Sequence, residues 1–181
     1  DPSITREEFF KYKFDVEYSR ESILAGVRNR YVKEMEGKEI SDDLLPGFEL
    51  IKNWNLRTDS LNTSAALSIL TLPNAFKPEN LKYDRDSITI KLRENMSYLK
   101  KQYGRIDVPL GRVVRLLRGE TSLPLSGGPG TLRAIYSKKS GRNYKAVAGD
   151  CYIQAVEWGP EGQLNAWSIH QYGSSTMDKT S

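Results

Sequence analysis

The 181 residues contain one cysteine, Cys151, and one histidine, His170. A lone thiol excludes an internal disulfide and any multi-cysteine metal site, and Cys151 reads as a small buried side chain in a strand. Without a second histidine or cysteine, a catalytic zinc centre of the usual ligand set lacks donors, so no metal site is expected. Nor does any run approach the roughly 18 consecutive apolar residues of a membrane-crossing helix. The opening Asp1-Pro2-Ser3-Ile4-Thr5-Arg6-Glu7 has neither the basic nor the apolar stretch of a targeting peptide. It lacks an initiator Met, and the stop at Asp178-Lys179-Thr180-Ser181 is abrupt, so both ends are expected to have been cut from something longer. Strong charge bias is also missing. The 27 basic residues against 23 acidic ones leave +4, read as spread along the chain and as no nucleic-acid footprint.

What is present suits one soluble globular domain: 38% hydrophobic and 28% charged residues, in a chain long enough for a sizeable core. The first part reads as helices. Over Ser19 to Met35 the apolar residues Ile23, Leu24, Val27, Tyr31 and Met35 form one stripe, and Gly37 stops the helix. A second helix is expected from Ser41-Asp42-Asp43 towards Trp54, with Pro46 in its first turn, and a third from about Asn62 to Leu72, before Pro73. The fourth starts near Ser87, where Ile88, Leu92, Met96, Leu99 and Tyr103 share a face and Gly104 closes it. Val108 to Arg118 is read as a further short helix, with Pro109 and Gly111 blurring its limits.

After Gly119 the pattern changes to short β-branched or aromatic runs: Leu132 to Tyr136, Ala146 to Gly149, Tyr152 to Trp158 and Leu164 to Tyr172. Gly159-Pro160-Glu161-Gly162 makes the last two a hairpin, and apolar residues on both of its faces imply a sheet covered on each side. The expectation is an α+β chain, mainly helical over 1–118 and mainly stranded over 119–175.

Few residues offer chemistry. His170 would need Asp150 and Ser168 or Ser174 beside it to make a nucleophilic triad, and a satisfied strand histidine is the preferred reading. Ser126-Gly127-Gly128-Pro129-Gly130-Thr131 lacks the Gly-Lys-Ser/Thr ending of a phosphate loop, and Pro129 removes a donor, so a turn-rich connection is expected. Asp42-Asp43 and Asp84-x-Asp86 stand where carboxylates cap helices. Trp54, Trp158 and Trp167 sit in apolar patterns and read as core. Arg112, Arg115 and Arg118, three apart, would line one side of a helix, normally a solvated face but usable for an acidic partner.

Three C-terminal blocks carry a resemblance: Leu123-Pro124-Leu125-Ser126-Gly127-Gly128-Pro129-Gly130-Thr131-Leu132, then Gly149-Asp150-Cys151-Tyr152 with Val156-Glu157-Trp158, then His170-Gln171-Tyr172-Gly173-Ser174-Ser175. Upstream, Asp15-x-x-Tyr18-Ser19 with Ser22, Lys52-Asn53-Trp54-Asn55 with Asp59-Ser60 and Ala65-Ala66-Leu67, Gln102-Tyr103-Gly104 and Pro109-Leu110-Gly111-Arg112 extend it. In this order they resemble the C-terminal segment of the β-subunit of the penicillin amidase family of N-terminal-nucleophile hydrolases, near its acyl-homoserine lactone and aculeacin acylase branch. The resemblance implies an αββα sandwich and hydrolysis of the amide bond of N-acyl substrates, β-lactam antibiotics or acyl-homoserine lactones among them. It also implies a periplasmic or secreted enzyme.

The family's nucleophilic serine, whose own α-amine is the base, and its oxyanion-hole asparagine lie upstream, so no catalytic residue falls in this segment and the segment alone is expected to be inactive. Its implied partners are the remainder of the acylase, namely the α-subunit and the N-terminal part of the β-subunit, and a small N-acyl amide. No nucleic acid and no membrane are expected. The segment implies no cofactor of its own, while the family allows calcium in the intact enzyme. Family members continue from a serine near Ser181 into Pro-His-Tyr, where this chain stops. The competing reading is a non-catalytic module that binds an acidic partner through Arg112, Arg115 and Arg118. A third is a serine hydrolase built on His170.

Overall fold

The computed structural model of the chain describes residues 3–73, 82–150 and 152–169. The first helix, α1 (Arg6–Lys13), lies ahead of the helices that periodicity predicts. The sequence marks its start by a capping box, in which Thr5 accepts from the Glu8 amide and the Glu8 carboxylate accepts from the Thr5 amide. None of its residues is buried, so its apolar stripe is too faint to read as periodicity. In α2 (Ile23–Glu36), Ser22 caps the Ala25 amide while Leu24, Val27, Tyr31 and Met35 enter the core, and the helix ends at Gly37 as expected.

Next come α3 (Leu45–Lys52) and α4 (Ala65–Thr71). The Asp42-Asp43 pair does not cap α3: its N-cap is Leu44, with no side-chain bond. The backbone turns once before the helix, Ser41 O accepting from Leu44 and Leu45. Asp43 is thereby pointed away, to pair with Arg93 at 3.2 Å. Asn62 Oδ1 takes the Ser64 and Ala65 amides at the start of α4. In α5 (Arg85–Tyr103), Asp84 does cap, accepting from Asp86 and Ser87, and Gly104 closes the helix with φ +78°. Its buried stripe is Ile88, Leu92 and Leu99.

The expected helix over Val108 to Arg118 is divided between a short helix and a strand. Only α6 (Leu110–Val113) is helical, and β1 (Val114–Arg118) follows at once. Apolar pairs flank each polar residue there, a pattern either state satisfies. Pairing decides it, because β1 bonds antiparallel to β2 (Thr121–Pro124) and parallel to β4 (Asn143–Gly149). β3 (Ile135–Ser140) completes a four-stranded sheet of order β2-β1-β4-β3, beginning three residues later than expected because exposed Leu132 lies in the preceding loop. Helical character therefore ends at Val113 rather than at 118.

The C-terminal hairpin is present: β5 (Ile153–Trp158) pairs with β6 (Leu164–Ile169), Trp158 opposite Leu164. It forms a separate two-stranded sheet. Cover on both faces is expected, but among the described residues only the Trp167 face has it, from α1 with Phe10 edge-on to Trp167, while on the other face Trp158 is 72% and Leu164 61% exposed. Trp158 and Trp167 are consequently not core residues, whereas Trp54 is. The core proper is built by α2, α3, α4 and α5, and Val113, Val114, Ile135 and Ala146 bring the four-stranded sheet onto it. The chain is thus a mixed α+β fold with six helices and two sheets among the described residues. No helix among them is long and apolar enough to cross a membrane.

Candidate functional site

The most constrained region is the turn Ser126–Thr131, and three remote segments converge on it. Tyr18, between α1 and α2, donates its phenol to Pro129 O at 2.7 Å. Its ring meets Trp54 edge-on, centroids 5.7 Å apart, and the Trp54 indole donates to Arg57 O at 2.9 Å. A short backbone ladder ties the segments together: Tyr18 N to Leu56 O at 3.0 Å, Thr58 N to Val16 O at 2.8 Å and Gly127 N to Thr58 O at 2.8 Å. Ser126 Oγ accepts the Ser60 amide at 2.9 Å, and Ser60 O accepts the Gly111 amide at 2.8 Å. Inside the turn, Thr131 Oγ1 accepts the Gly128 amide, and its hydroxyl lies 2.9 Å from Arg133 O.

Glycine is required here by distance as well as by torsion. Gly127 has φ +115°, and a Cβ on it would stand 2.2 Å from Arg133 O. A Cβ on Gly128 would stand 2.7 Å from the Tyr18 hydroxyl. Gly149 faces the same restriction on β4, φ +148° with Ala134 O at 2.0 Å from a built Cβ.

Buried hydroxyls here are donors already spent on carbonyls. Thr58, fully buried, donates to Val16 O at 2.6 Å. Burial raises the Tyr18 phenol well above its ordinary value, and nearby Tyr136 adds to that. Such a group stays neutral and neither attacks nor abstracts at neutral pH. Tyr31 and Tyr144 are raised by burial too, and Tyr83 is pushed up to about 12 by burial and by its bond to Glu34. A phenol raised by folding contributes stability that is complete below its unfolded value, about 10, and is lost as pH climbs towards the folded value. The urea midpoint is therefore expected to hold between pH 7 and 9 and to fall between about 10 and 12. An unchanged midpoint at the alkaline end would contradict the burial of these rings.

The sequence candidates are scattered. His170 and Ser174 lie outside the described residues, as does Cys151. Asp150 is held by Lys13 at 3.5 Å, with Ser168 on the exposed strand β6. Arg112, Arg115 and Arg118 do not form a helical stripe: Arg112 is on α6 and the other two are on β1, where residues three apart point to opposite faces. Among the described residues no group of three or more His, Cys, Asp or Glu side chains could hold a metal ion. Two clefts stand apart from the junction. One, of about 290 Å³, lies between α1 and the hairpin and is lined by Phe9, Phe10, Val156 and Trp167. The other, about 630 Å³, is bounded by Arg93, Lys100, Arg105, Asp43 and Asp107. In it Arg93 is paired with Asp43, and Arg105 with Asp107.

What sequence reasoning missed is the convergence itself. Tyr18 and Pro129 are 111 residues apart, and no periodic signal links them. The glycine run was the available clue that backbone had to approach closely. No protein-family model matches this chain, and no curated protein matches it.

Proposed function

We propose that this chain is the C-terminal part of the β-subunit of a penicillin amidase-type acylase, serving as scaffold, and as part of the acyl-pocket wall, for a nucleophilic serine supplied elsewhere in the enzyme. The observation that carries the reading is that four stretches bearing the resemblance meet at one buried junction: Tyr18, Trp54 to Ser60, Gly111 and Ser126 to Thr131. The junction's polar groups are spent on holding backbone, which suits a scaffold and not a reaction centre. The hairpin adds support. Two strands alone are marginal in water, and this pair exposes Trp158, Leu164, Ile169 and Val156 and has no further strand on either edge among the described residues, as a piece of a larger sandwich would.

The test is to sequence the coding DNA on both sides of this segment, express the whole frame and assay hydrolysis of a chromogenic N-acyl amide. The expected frame runs upstream through a self-cleavage junction ending in serine and downstream into Pro-His-Tyr. Alanine at that serine should abolish turnover, and the 181-residue chain alone should show none. The chain alone should also bind a hydrophobic dye and self-associate through its hairpin. A frame limited to this segment, yielding a dye-negative monomer, would overturn the reading.

A further inference from the structure

Basic residues are concentrated in one stretch. Between Leu110 and Gly149 the chain has eight arginines and lysines against the single Glu120, a net of +7, while the whole chain carries +4 and the remainder therefore −3. That stretch comprises the four-stranded sheet with α6 and its connecting loops, and Arg115, Arg118, Lys138, Lys139 and Lys145 are on its strands, so the mild and dispersed bias read from composition is in fact a separation of charge between this part of the chain and the rest.

Strand register concentrates it further. The parallel pairing of β1 with β4 puts Arg115 beside Lys145, and the antiparallel pairing of β4 with β3 puts Lys145 opposite Lys138. Three cations thus form a row across three adjacent strands, each about 5 Å from the next along the hydrogen-bonding direction. Val114, Leu116 and Ala146 turn into the core, so Arg115 and Lys145 stand on the other face, where Lys138 and Lys145 are exposed. Like charges directly opposite each other destabilise a sheet, and nothing within the fold offsets them: among the described residues no carboxylate pairs with Arg115, Lys138 or Lys145. Elsewhere cations are commonly paired, as in Arg6–Glu157, Lys13–Asp150, Lys52–Glu36 and Arg93–Asp43. Arg115 is fixed by neutral acceptors, Gly111 O at 2.9 Å and Ser122 Oγ at 3.0 Å, which hold the guanidinium and leave its charge uncancelled.

We infer that this sheet face docks a carboxylate-rich polypeptide segment, its acidic side chains meeting the Arg115–Lys145–Lys138 row. The ground beside the row favours polypeptide over nucleic acid. Leu117 and half-exposed Val147 continue the same face and offer aliphatic contact, which a phosphodiester backbone does not use and the stems of glutamates and their neighbours do. The inference is independent of the acylase reading and corrects the arginine stripe expected from sequence: of that trio, Arg115 alone is placed in this row.

The test is fluorescence anisotropy of a labelled peptide of alternating glutamate and alanine, with a labelled oligothymidylate of equal charge alongside. The wild-type chain should bind the peptide more tightly than the oligonucleotide, and raising salt should weaken it steeply. Lys138→Glu with Lys145→Glu should weaken peptide binding about tenfold or more, and the Lys138→Gln, Lys145→Gln pair should fall between. Lys38→Glu with Lys91→Glu makes the same change in net charge at exposed sites away from the sheet, and should leave binding within about twofold. Equal losses in the two Glu pairs, no loss in either, or tighter binding of the oligonucleotide would overturn the inference. None of these readouts involves hydrolysis, so they stand or fall apart from the acylase proposal.

Discussion

Gly127→Ala is expected to destabilise the chain by about 3 kcal/mol, with a fall in melting temperature of about 10 °C. Two penalties coincide at this position. The φ of +115° is one that side chains rarely adopt, and the new methyl would sit 2.2 Å from Arg133 O, a backbone atom that cannot swing aside. Relief requires the turn to move, and movement breaks the Gly127 N bond to Thr58 O and shifts Pro129 off the Tyr18 phenol. Gly141→Ala is the proper comparison. It also has positive φ, +59°, but nothing lies within 4 Å of a built Cβ, so only the left-handed torsion is charged, about 1 kcal/mol. Urea unfolding of the two variants side by side reads the difference. Equal losses would mean that the turn is not packed as described, and the junction would lose its claim to be the constrained centre of the molecule.

The sequence disclosed those elements whose signal is local. Helix α5 is legible because its stripe repeats over about four turns and ends on a glycine that takes positive φ, and α2 because Ser22 and Gly37 bracket a run of core residues. The hairpin was legible from its turn. Strand β1 was not, because Val113, Val114, Leu116 and Leu117 present apolar groups to both sides and the choice between states is made by β2 and β4, of which β4 begins twenty-five residues further along the chain than Arg118. Helix α1 escaped for the opposite reason, having a strong cap and no buried residue to mark a face. Of the three tryptophans, all read as core, only Trp54 has neighbours from enough segments to cover it. Trp158 and Trp167 stand on a sheet of two strands, and two strands cannot bury a ring from both sides. The pieces of the junction stand out in the sequence as motif blocks, but its geometry depends on contacts between residues 36 to 111 positions apart, and such contacts leave no mark in any window of sequence.

Trp54→Ala should cost about 4 kcal/mol, a large share of the roughly 5–15 kcal/mol that holds a domain of this kind. The side chain is 2% exposed, it packs against Tyr18, and its indole N–H satisfies Arg57 O, so truncation opens a cavity and orphans a carbonyl at once. Trp54→Phe separates the two effects: most of the apolar contact survives, and the loss should shrink to about 1–2 kcal/mol for the unpaired Arg57 O. The same variant carries an optical consequence. Trp54 is the buried indole, Trp158 is 72% exposed, and Trp167, 38% exposed, packs against Phe10, so removing Trp54 should strip the most blue-shifted component and shift the remaining emission to the red towards that of the exposed Trp158. That remaining signal then reports the hairpin alone. Covering the Trp158 face, by the remainder of an acylase or by a second copy, should shift it back to the blue, and a dilute monomer of the Trp54→Phe chain that lacks a water-exposed indole component would show that Trp158 is covered from within.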